Sequence, residues 1–273
     1  MDKGTAATIS IATLFLATGC GGSEGPASRE PAGSSRTPPA STSPSSTLGP
    51  ITIRGFVHAS DGTLLPLATV CSQLVASSDT TDCAISGVDG SFALPAPAAQ
   101  PLVVTFRREG FLPTLRAIAT DASDITLPPG EDMLFPAVSP QTFLGAPVDP
   151  SAGHIQFRVV SPGSQPAPNV SVTLLPYGLL PSPDVRSPTI YLDAQGAPQT
   201  GQTAGTSGWF ANVPEGMYLV RFGHDSVSCT ANALYGYPVT GFQGQDPSSV
   251  QAEVVVPVMA GMVTAPVSVT CTQ

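Results

Sequence analysis

Short stretches of alternating apolar and polar residues dominate the chain from Ile51 onward. Residues 51–58 alternate in the manner of a half-buried strand, and residues 68–75 and 102–106 are similar runs rich in β-branched side chains. Asp-Gly pairs at 61–62 and 89–90 separate such runs, and this dipeptide accepts the positive φ of tight turns. No stretch has the apolar period of a long helix. Short strands with turns at this spacing predict an all-β sandwich.

The second half of the chain repeats this order of strands and turns about 100 residues later. Residues 154–160, 169–174, 207–214 and 219–222 correspond to residues 52–58, 67–72, 89–95 and 103–106. The repeat predicts two tandem β-sandwich domains, at 51–127 and 153–273, joined by a linker at 128–152. We expect the linker to add a strand near 133–138. Residues 250–270 are rich in valine but contain a glutamate and two prolines, which predicts two strands rather than a membrane span.

The first 50 residues follow a different pattern. Residues 6–18 form an uncharged apolar run that is too short to cross a bilayer but suits the core of an export signal. The run ends in Leu-Ala-Thr-Gly followed by Cys20. Residues 21–50 are almost all Gly, Ser, Pro, Thr and Ala, and they cannot bury enough apolar surface to offset the entropy of ordering. We therefore expect a disordered tether at 20–50.

This N-terminus resembles the lipobox of bacterial lipoproteins, although Ala17 stands where leucine is more usual. The resemblance implies a signal peptide at 1–19 and acyl chains such as palmitate on Cys20. The alternative is an ordinary signal peptide with a chance cysteine. Two or more acyl chains anchor a protein stably, whereas one binds only marginally. Gly21 is not the aspartate that commonly retains lipoproteins at the inner membrane of enteric bacteria, so the outer membrane is favoured.

A second resemblance concerns the folded part. The first half places its motifs in the order Gly55-Phe56-Val57, Asp61-Gly62, Ala68-Thr69-Val70, Asp89-Gly90-Ser91-Phe92 and Gly110-Phe111-Leu112-Pro113. This order is similar to that of the carboxypeptidase regulatory-like domain, a seven-stranded sandwich of the transthyretin or prealbumin type. The second half matches less closely and carries an insertion at about 176–206. The resemblance implies a sandwich fold and is nearly silent on function.

Charge excludes two kinds of chemistry. The net charge is −9 and no basic patch is present, so nucleic acid is not expected as a partner. Lys3 is the only lysine, and it lies in the predicted signal peptide. Some surface modules of similar shape cross-link themselves through a Lys–Asn isopeptide bond, and a mature chain without lysine cannot do so. Stability must then come from core packing and disulfides.

Four cysteines remain after Cys20, two in each predicted domain: Cys71 and Cys83, and Cys229 and Cys271. Export would place them in an oxidising compartment, where disulfides persist. Three pairings are possible, and four buried thiols are the alternative. Because separate folding units rarely share disulfides, we expect one bond in each domain. No Cys-x-x-Cys or nearby histidine pair indicates a metal site.

Catalytic and cofactor-binding motifs are missing from the sequence. His58, His154 and His224 are scattered and lack the spacing of metal ligands. There is no Gly-x-Ser-x-Gly elbow, phosphate loop or dinucleotide fingerprint. Residues 79–82 predict a polar loop that could hold a weakly bound cation. We therefore expect no enzyme activity, no metal and no cofactor.

Aromatic residues supply the one candidate ligand contact. Trp209, the only tryptophan, could form a sugar-stacking platform with Tyr177 or Tyr191, and Tyr235 and Tyr237 are further candidates. The alternative is that Trp209 covers the edge of the core.

Three hypotheses follow. The first is a non-catalytic envelope protein, anchored to a membrane by its N-terminal lipid, that binds or scaffolds an unknown envelope protein or glycan. The second is an accessory lipoprotein that binds carbohydrate or peptidoglycan. The third is an envelope enzyme that gathers His154, His224 and carboxylates.

Overall fold

The computed structural model describes residues 49–75, 80–129, 133–137, 147–163, 167–178, 187–199, 201–239 and 250–272. The predicted signal peptide, Cys20 and nearly all of the predicted tether lie outside these ranges. The expected all-β class is confirmed, since the regular structure of the described ranges is β-strand apart from one 3-10 turn. Within those ranges, no helix has the length and apolar character needed to cross a membrane.

Twenty strands are described, and they are numbered in chain order. They are β1 Ile51–Phe56, β2 His58–Ala59, β3 Thr69–Leu74, β4 Thr80–Ile85, β5 Ser91–Ala96, β6 Pro101–Arg107, β7 Phe111–Leu112, β8 Thr114–Ala119, β9 Ile125–Thr126, β10 Met133–Pro136, β11 Gly153–Val160, β12 Ser171–Pro176, β13 Thr189–Leu192, β14 Pro198–Gln199, β15 Ser207–Val213, β16 Gly216–His224, β17 Ser228–Ala231, β18 Tyr237–Pro238, β19 Val250–Val258 and β20 Val263–Thr272. A 3-10 turn, η1, spans Ala233–Tyr235.

Two layers enclose a core in the first half. Strands β5, β1 and β9 form one layer, and β4, β3, β6 and β8 form the other. Alternate residues of β1 are buried, as the sequence pattern predicts. Phe92 of β5 and Phe106 of β6 meet edge to face across the layers, with ring centroids 5.8 Å apart. The first half is therefore a β-sandwich with its own apolar core.

The second half repeats this arrangement. One layer contains β14, β13, β15, β11, β20 and β17, and the other contains β12, β16, β19 and β18. Phe157 of β11 lies at the centre of its core, with ring centroids 5.7 Å from Tyr191 and 6.3 Å from Phe222. Gly208 gives that ring room, because a Cβ there would lie 2.4 Å from the Phe157 ring.

Strand pairing shows the same repeat that the sequence shows. In the first half β1 pairs antiparallel with β5 and parallel with β9, while β6 pairs with β3 and β8. In the second half β11 pairs antiparallel with β15 and parallel with β20, while β16 pairs with β12 and β19. The four strand correspondences that the repeat predicts are thus all present in the pairing.

The two sandwiches share one sheet. Val263 and Thr264 of β20 pair in parallel with Thr114 and Leu115 of β8, while the opposite edge of β20 pairs with β11. Ten strands therefore form a continuous sheet that runs from β4 in the first sandwich to β14 in the second. Residues 128–152, the predicted linker, contribute β10, which pairs with β2 and β7 of the first sandwich.

Side chains reinforce the shared sheet. Arg116 on β8 is buried, donates from Nε to the backbone oxygen of Leu234 at 2.9 Å, and stacks 4.9 Å from the Tyr235 ring. The hydroxyl of Tyr237 donates to the backbone oxygen of Leu102 at 2.7 Å. Burial raises the pKa of Tyr237 well above its usual range, so this hydroxyl keeps its proton. Described residues 49–272 thus belong to one compact unit.

One local prediction is wrong, and one strand is missing from the predictions. Thr80 to Asp82 do not form a loop; they lie in β4 and pair with β3, so the structure does not support a cation site there. Asp79 lies outside the described residues. Strand β8 is not predicted, because it does not alternate: five of its six residues are buried. Both of its faces are covered, because Leu115 packs with Met262 on one face and Ile118 packs in the core of the first sandwich on the other. This removes the polar positions that reveal a half-buried strand.

Each half contains one disulfide. Cys71 of β3 bonds Cys83 of β4, and Cys229 of β17 bonds Cys271 of β20. In both cases the two cysteines are directly opposite each other on antiparallel strands. This is the arrangement that the distribution of cysteines favours.

Candidate interaction surface

Trp209 is an internal residue. It lies on β15 with 1% of its surface exposed, and its ring meets Phe135 of β10 edge to face at 4.9 Å. Val263 and Ala265 of β20 complete the cluster. Trp209 therefore fills the space between the second sandwich and β10. The predicted role in sugar stacking is wrong for this residue, because a buried ring offers no face to a ligand.

Tyr191 is also buried. Its hydroxyl accepts the backbone N–H of Val172 at 2.9 Å and donates to the backbone oxygen of Thr203 at 3.1 Å. Burial raises the pKa of Tyr191, and the bond from Val172 opposes this rise. Tyr177 is half exposed, at the end of β12. Trp209 and Tyr191 are internal, the Tyr235 ring contacts the Arg116 guanidinium, and the Tyr237 hydroxyl bonds the Leu102 oxygen, so the predicted aromatic platform is not formed.

The histidines are not gathered into one site. His154 is the second residue of β11, whose first residue, Gly153, pairs with Val213 just before β16 starts at Gly216. His224 ends β16, nine residues along the strand. A nine-residue strand spans roughly 30 Å, so the two imidazoles lie at opposite ends of the second sandwich. The pocket that the enzyme hypothesis requires is therefore not built from them. No group of three or more possible metal ligands occurs among the described residues.

His154 has a structural role that depends on its protonation. Its side chain is buried, and Nδ1 accepts the backbone N–H of Asn212 at 3.2 Å. Asn212 has a positive φ of 55° and bonds the backbone on both sides of Val148 through its amide group. Burial lowers the pKa of His154, and the charge of Asp149 opposes this only partly. The neutral imidazole is thus the form that fits the fold.

We expect this histidine to make stability pH-dependent. Because its pKa is lowered in the folded chain, the unfolded chain takes up the proton first, near pH 6.5. The contribution of His154 to the free energy of unfolding is therefore complete above about pH 6.5. It is lost as the pH falls towards the pKa of His154 in the folded chain, by up to about 1.4 kcal/mol per pH unit. The variant His154→Asn keeps an acceptor and cannot titrate. Urea denaturation at pH 8 and pH 5 should show a smaller acid loss for the variant, and equal losses would contradict the assignment.

The most unusual surface is at one end of the first sandwich. Five of the large apolar side chains exposed in the described residues lie on two loops and adjoining strand ends there: Phe56, Leu64, Leu67, Ile85 and Val88. Val88 is 95% exposed and Leu67 75%. We call this set the apolar loop end. Monomeric proteins scatter such residues singly, so a group at one end indicates an interaction surface.

Two neighbouring loops form the apolar loop end. The loop from β2 to β3 leads into the layer that contains β3 and β4, and the loop from β4 to β5 leads from it to the layer that contains β5 and β1. Ser86 is buried and joins them: its hydroxyl donates to the backbone oxygen of Leu65 at 2.8 Å and accepts the N–H of Ala68 at 2.9 Å. Leu67 N–H donates to the Ser86 oxygen at 3.0 Å. These bonds hold the exposed side chains on a fixed backbone.

Leu67 carries backbone strain at this end. Its φ is 60°, a region that a branched, bulky side chain rarely adopts, and it costs about 1–3 kcal/mol. Nothing in the core requires that side chain, since it points to solvent. An exposed apolar residue held in a strained conformation favours a functional role over a packing role.

The apolar loop end could have been predicted from the sequence, although the alternation of apolar and polar residues in the strands does not indicate it. Leu64 and Leu67 follow the Asp-Gly turn at 61–62, and Val88 precedes the Asp-Gly turn at 89–90. Loops around such turns are usually polar, so aliphatic residues beside them are the anomaly. Asp61 and Asp89 form the turns as predicted. Hydrogen bonds from Thr63 and Ser91 lower the pKa of Asp61 and Asp89 respectively.

Comparisons with known proteins show only distant similarity. No protein-family model matches the chain, and no curated protein matches it. The Bacillus anthracis TIE protein is 11% identical, with a TM-score of 0.25 over 82% of this chain and 34% of that protein, so this chain spans about a third of its length. GBS52, the minor pilin of Streptococcus agalactiae, is 12% identical, with a TM-score of 0.21 over 82% and 97% of the two chains. A provisionally named carbohydrate binding protein from Bacteroides uniformis is 10% identical, with a TM-score of 0.27 over 77% and 99%. The functional proposal therefore rests on this chain's own residues.

Proposed function

We propose that the chain is a non-catalytic lipoprotein of the bacterial cell envelope, which presents a rigid pair of β-sandwiches for binding or scaffolding. In this proposal Cys20 carries the lipid and residues 21–50 connect it to β1. The first sandwich is of the carboxypeptidase regulatory-like type, and the second is a divergent copy. The outer membrane is the favoured location.

The observation that supports a presenting role is the continuous ten-stranded sheet. Pairing of β8 with β20 fixes the two sandwiches to each other, and Arg116 and Trp209 are buried beside this pairing. A fixed junction is typical of a protein that holds surfaces at a set separation. The apolar loop end supplies one such surface, on a backbone that is already ordered. Two disulfides fit the oxidising compartment that export would provide.

Carbohydrate binding and catalysis are less well supported. The rings proposed for stacking are mostly internal, and the histidines proposed for an active site lie at opposite ends of a sandwich. Neither alternative gains a specific observation from the described residues.

The lipid anchor can be tested directly at Cys20. Cells that express the full chain are labelled with radioactive palmitate, and the chain is recovered and analysed by mass spectrometry. We expect label in the wild-type chain and none in the Cys20→Ser variant, because the thiol and the new amino group carry the acyl chains. The double variant Cys71→Ser/Cys83→Ser is the matched control and should keep its label. Label on Cys20→Ser, or none on the wild type, would refute the anchor.

A further inference from the structure

The chemistry of the apolar loop end distinguishes between two kinds of partner. Four of its five exposed side chains are aliphatic and the fifth is Phe56. Residues that dominate protein–protein contacts are Trp, Tyr and Arg, whereas Leu and Val are under-represented. Hydrocarbon chains, by contrast, need no directional contacts and accept aliphatic groups. The composition of this surface therefore favours lipid over protein.

The backbone of the two loops is already suited to an apolar environment. Most of the N–H groups of residues 57–68 and 86–91 donate within the protein, including those of Val57, Leu65, Leu67 and Gly90, whereas those of Val88 and Asp89 have no internal acceptor among the described residues. The N–H groups of Thr63 and Ser91 bond the carboxylates of the turn aspartates, at 2.9 Å and 3.1 Å. An unpaired N–H costs several kcal/mol in hydrocarbon, so the backbone of Val88 and Asp89 must stay among the hydrated headgroups while the Val88 side chain reaches deeper.

Glycine at position 90 allows this compact arrangement. Its φ is 74°, and a Cβ there would lie 3.0 Å from the Val57 oxygen and 3.3 Å from Leu64. The loops can therefore pack tightly behind Val88 without a side chain between them. The result is a compact pair of loops with aliphatic side chains exposed on its surface.

Charge indicates which lipids would be accepted. Residues 57–68 and 85–91 contain two aspartates, one histidine and no lysine or arginine. Arg107, the last residue of β6, is directly opposite Thr69 beside these loops, and its Nη2 donates to the Met262 sulfur of the second sandwich at 3.8 Å. The loops thus offer no cation to phosphate, and their carboxylates repel anionic headgroups. Zwitterionic or uncharged lipid fits this end better.

The chain before Ile51 is long enough for this contact. Ile51 pairs with Ala96 at the far end of β1, and Phe56 lies at the apolar loop end. Six residues of strand separate them by about 20 Å. The predicted tether at 21–50 would have a mean extension of about 30 Å if flexible. The apolar loop end can then reach the same bilayer that holds Cys20.

We propose that the apolar loop end inserts shallowly into the surface of a zwitterionic lipid bilayer. Leu67 and Val88 enter the boundary between headgroups and acyl chains, while Asp61 and Asp89 stay at the level of the headgroups. The inference rests on the proposed lipid anchor for its strength, because a tethered weak contact gains from its high effective concentration. The second contact would orient the rigid pair of sandwiches at the membrane.

A fluorescence experiment on the acylated full chain tests this insertion. Val88→Trp places a reporter at the apolar loop end, and Tyr177→Trp places one on the second sandwich as the matched control. Wild-type emission, which comes from buried Trp209, is subtracted. In phosphatidylcholine vesicles with brominated acyl chains we expect the added emission of Val88→Trp to be quenched about threefold more than that of Tyr177→Trp. Phosphatidylglycerol vesicles should give weaker quenching.

A second substitution and two further measurements distinguish insertion into lipid from the alternatives. Adding Leu67→Ser to Val88→Trp should reduce quenching to the level of the control. Equal quenching of the two reporters in phosphatidylcholine would overturn the inference. So would a wild-type chain that sediments as a dimer without vesicles and becomes monomeric with Leu67→Ser, since a second copy would then cover this end. If mass spectrometry finds no acyl group on Cys20, only the proposed anchor fails, because quenching can still be measured on the unacylated chain with excess lipid.

Discussion

Replacing Trp209 with alanine is expected to lower the free energy of unfolding by about 3–5 kcal/mol. The ring is buried between β10 and β20, and removing it leaves a cavity that β-strands fixed in a ten-stranded sheet cannot close. Denaturation followed by far-ultraviolet circular dichroism is the suitable measurement, because the variant has no tryptophan fluorescence.

Two control variants make this prediction specific. Tyr177→Ala removes a half-exposed ring and should change stability by less than about 0.5 kcal/mol. Phe135→Ala removes the partner ring, and its cost should not add fully to that of Trp209→Ala, since the edge-to-face contact is worth about 0.5–1.5 kcal/mol. A loss below 1 kcal/mol for Trp209→Ala, or full additivity with Phe135→Ala, would show that the ring is not a packing element of this junction.

The role of Trp209 shows where sequence reasoning ends. Alternation along a strand identifies which residues point inward, and this was sufficient to place β1, β3, β6 and the repeat. It cannot identify what lies on the other face of a strand. Trp209 occupies the face of β15 that the repeat assigns to solvent, and β10 covers that face. The covering strand is β10, and the sequence predicts a strand near 133–138 in the linker but not the face against which it packs.

Strand β8 is a second case in which the sequence pattern does not identify the packing partners. Its buried residues include Arg116, which the sequence alone would place at the surface. The ring of Tyr235 and the backbone oxygen of Leu234 accommodate the guanidinium, and both come from a turn more than 100 residues later. Such long-range partners have no local signature. The apolar loop end, by contrast, has a local signature, because aliphatic residues stand beside its Asp-Gly turns, where polar residues are usual.

The two disulfides are expected to differ in their contribution to stability. Cys71 and Cys83 are 12 residues apart in sequence, and Cys229 and Cys271 are 42 apart. A bond that closes a longer loop removes more conformational entropy from the unfolded chain, which gives about 3 kcal/mol for the first bond and about 4 kcal/mol for the second.

Burial increases this difference. Cys83 is exposed, whereas Cys229 and Cys271 are both buried in the core of the second sandwich. The double variant Cys229→Ala/Cys271→Ala therefore loses packing as well as the covalent bond, and the strand it loosens is β20, which pairs with both β11 and β8. We expect it to unfold at a lower denaturant concentration than Cys71→Ala/Cys83→Ala, with a difference in free energy of at least about 1 kcal/mol. The two variants serve as controls for each other, since each keeps one bond. Equal losses in the free energy of unfolding, or a larger loss for Cys71→Ala/Cys83→Ala, would contradict the larger contribution that we assign to the bond on the shared strand β20.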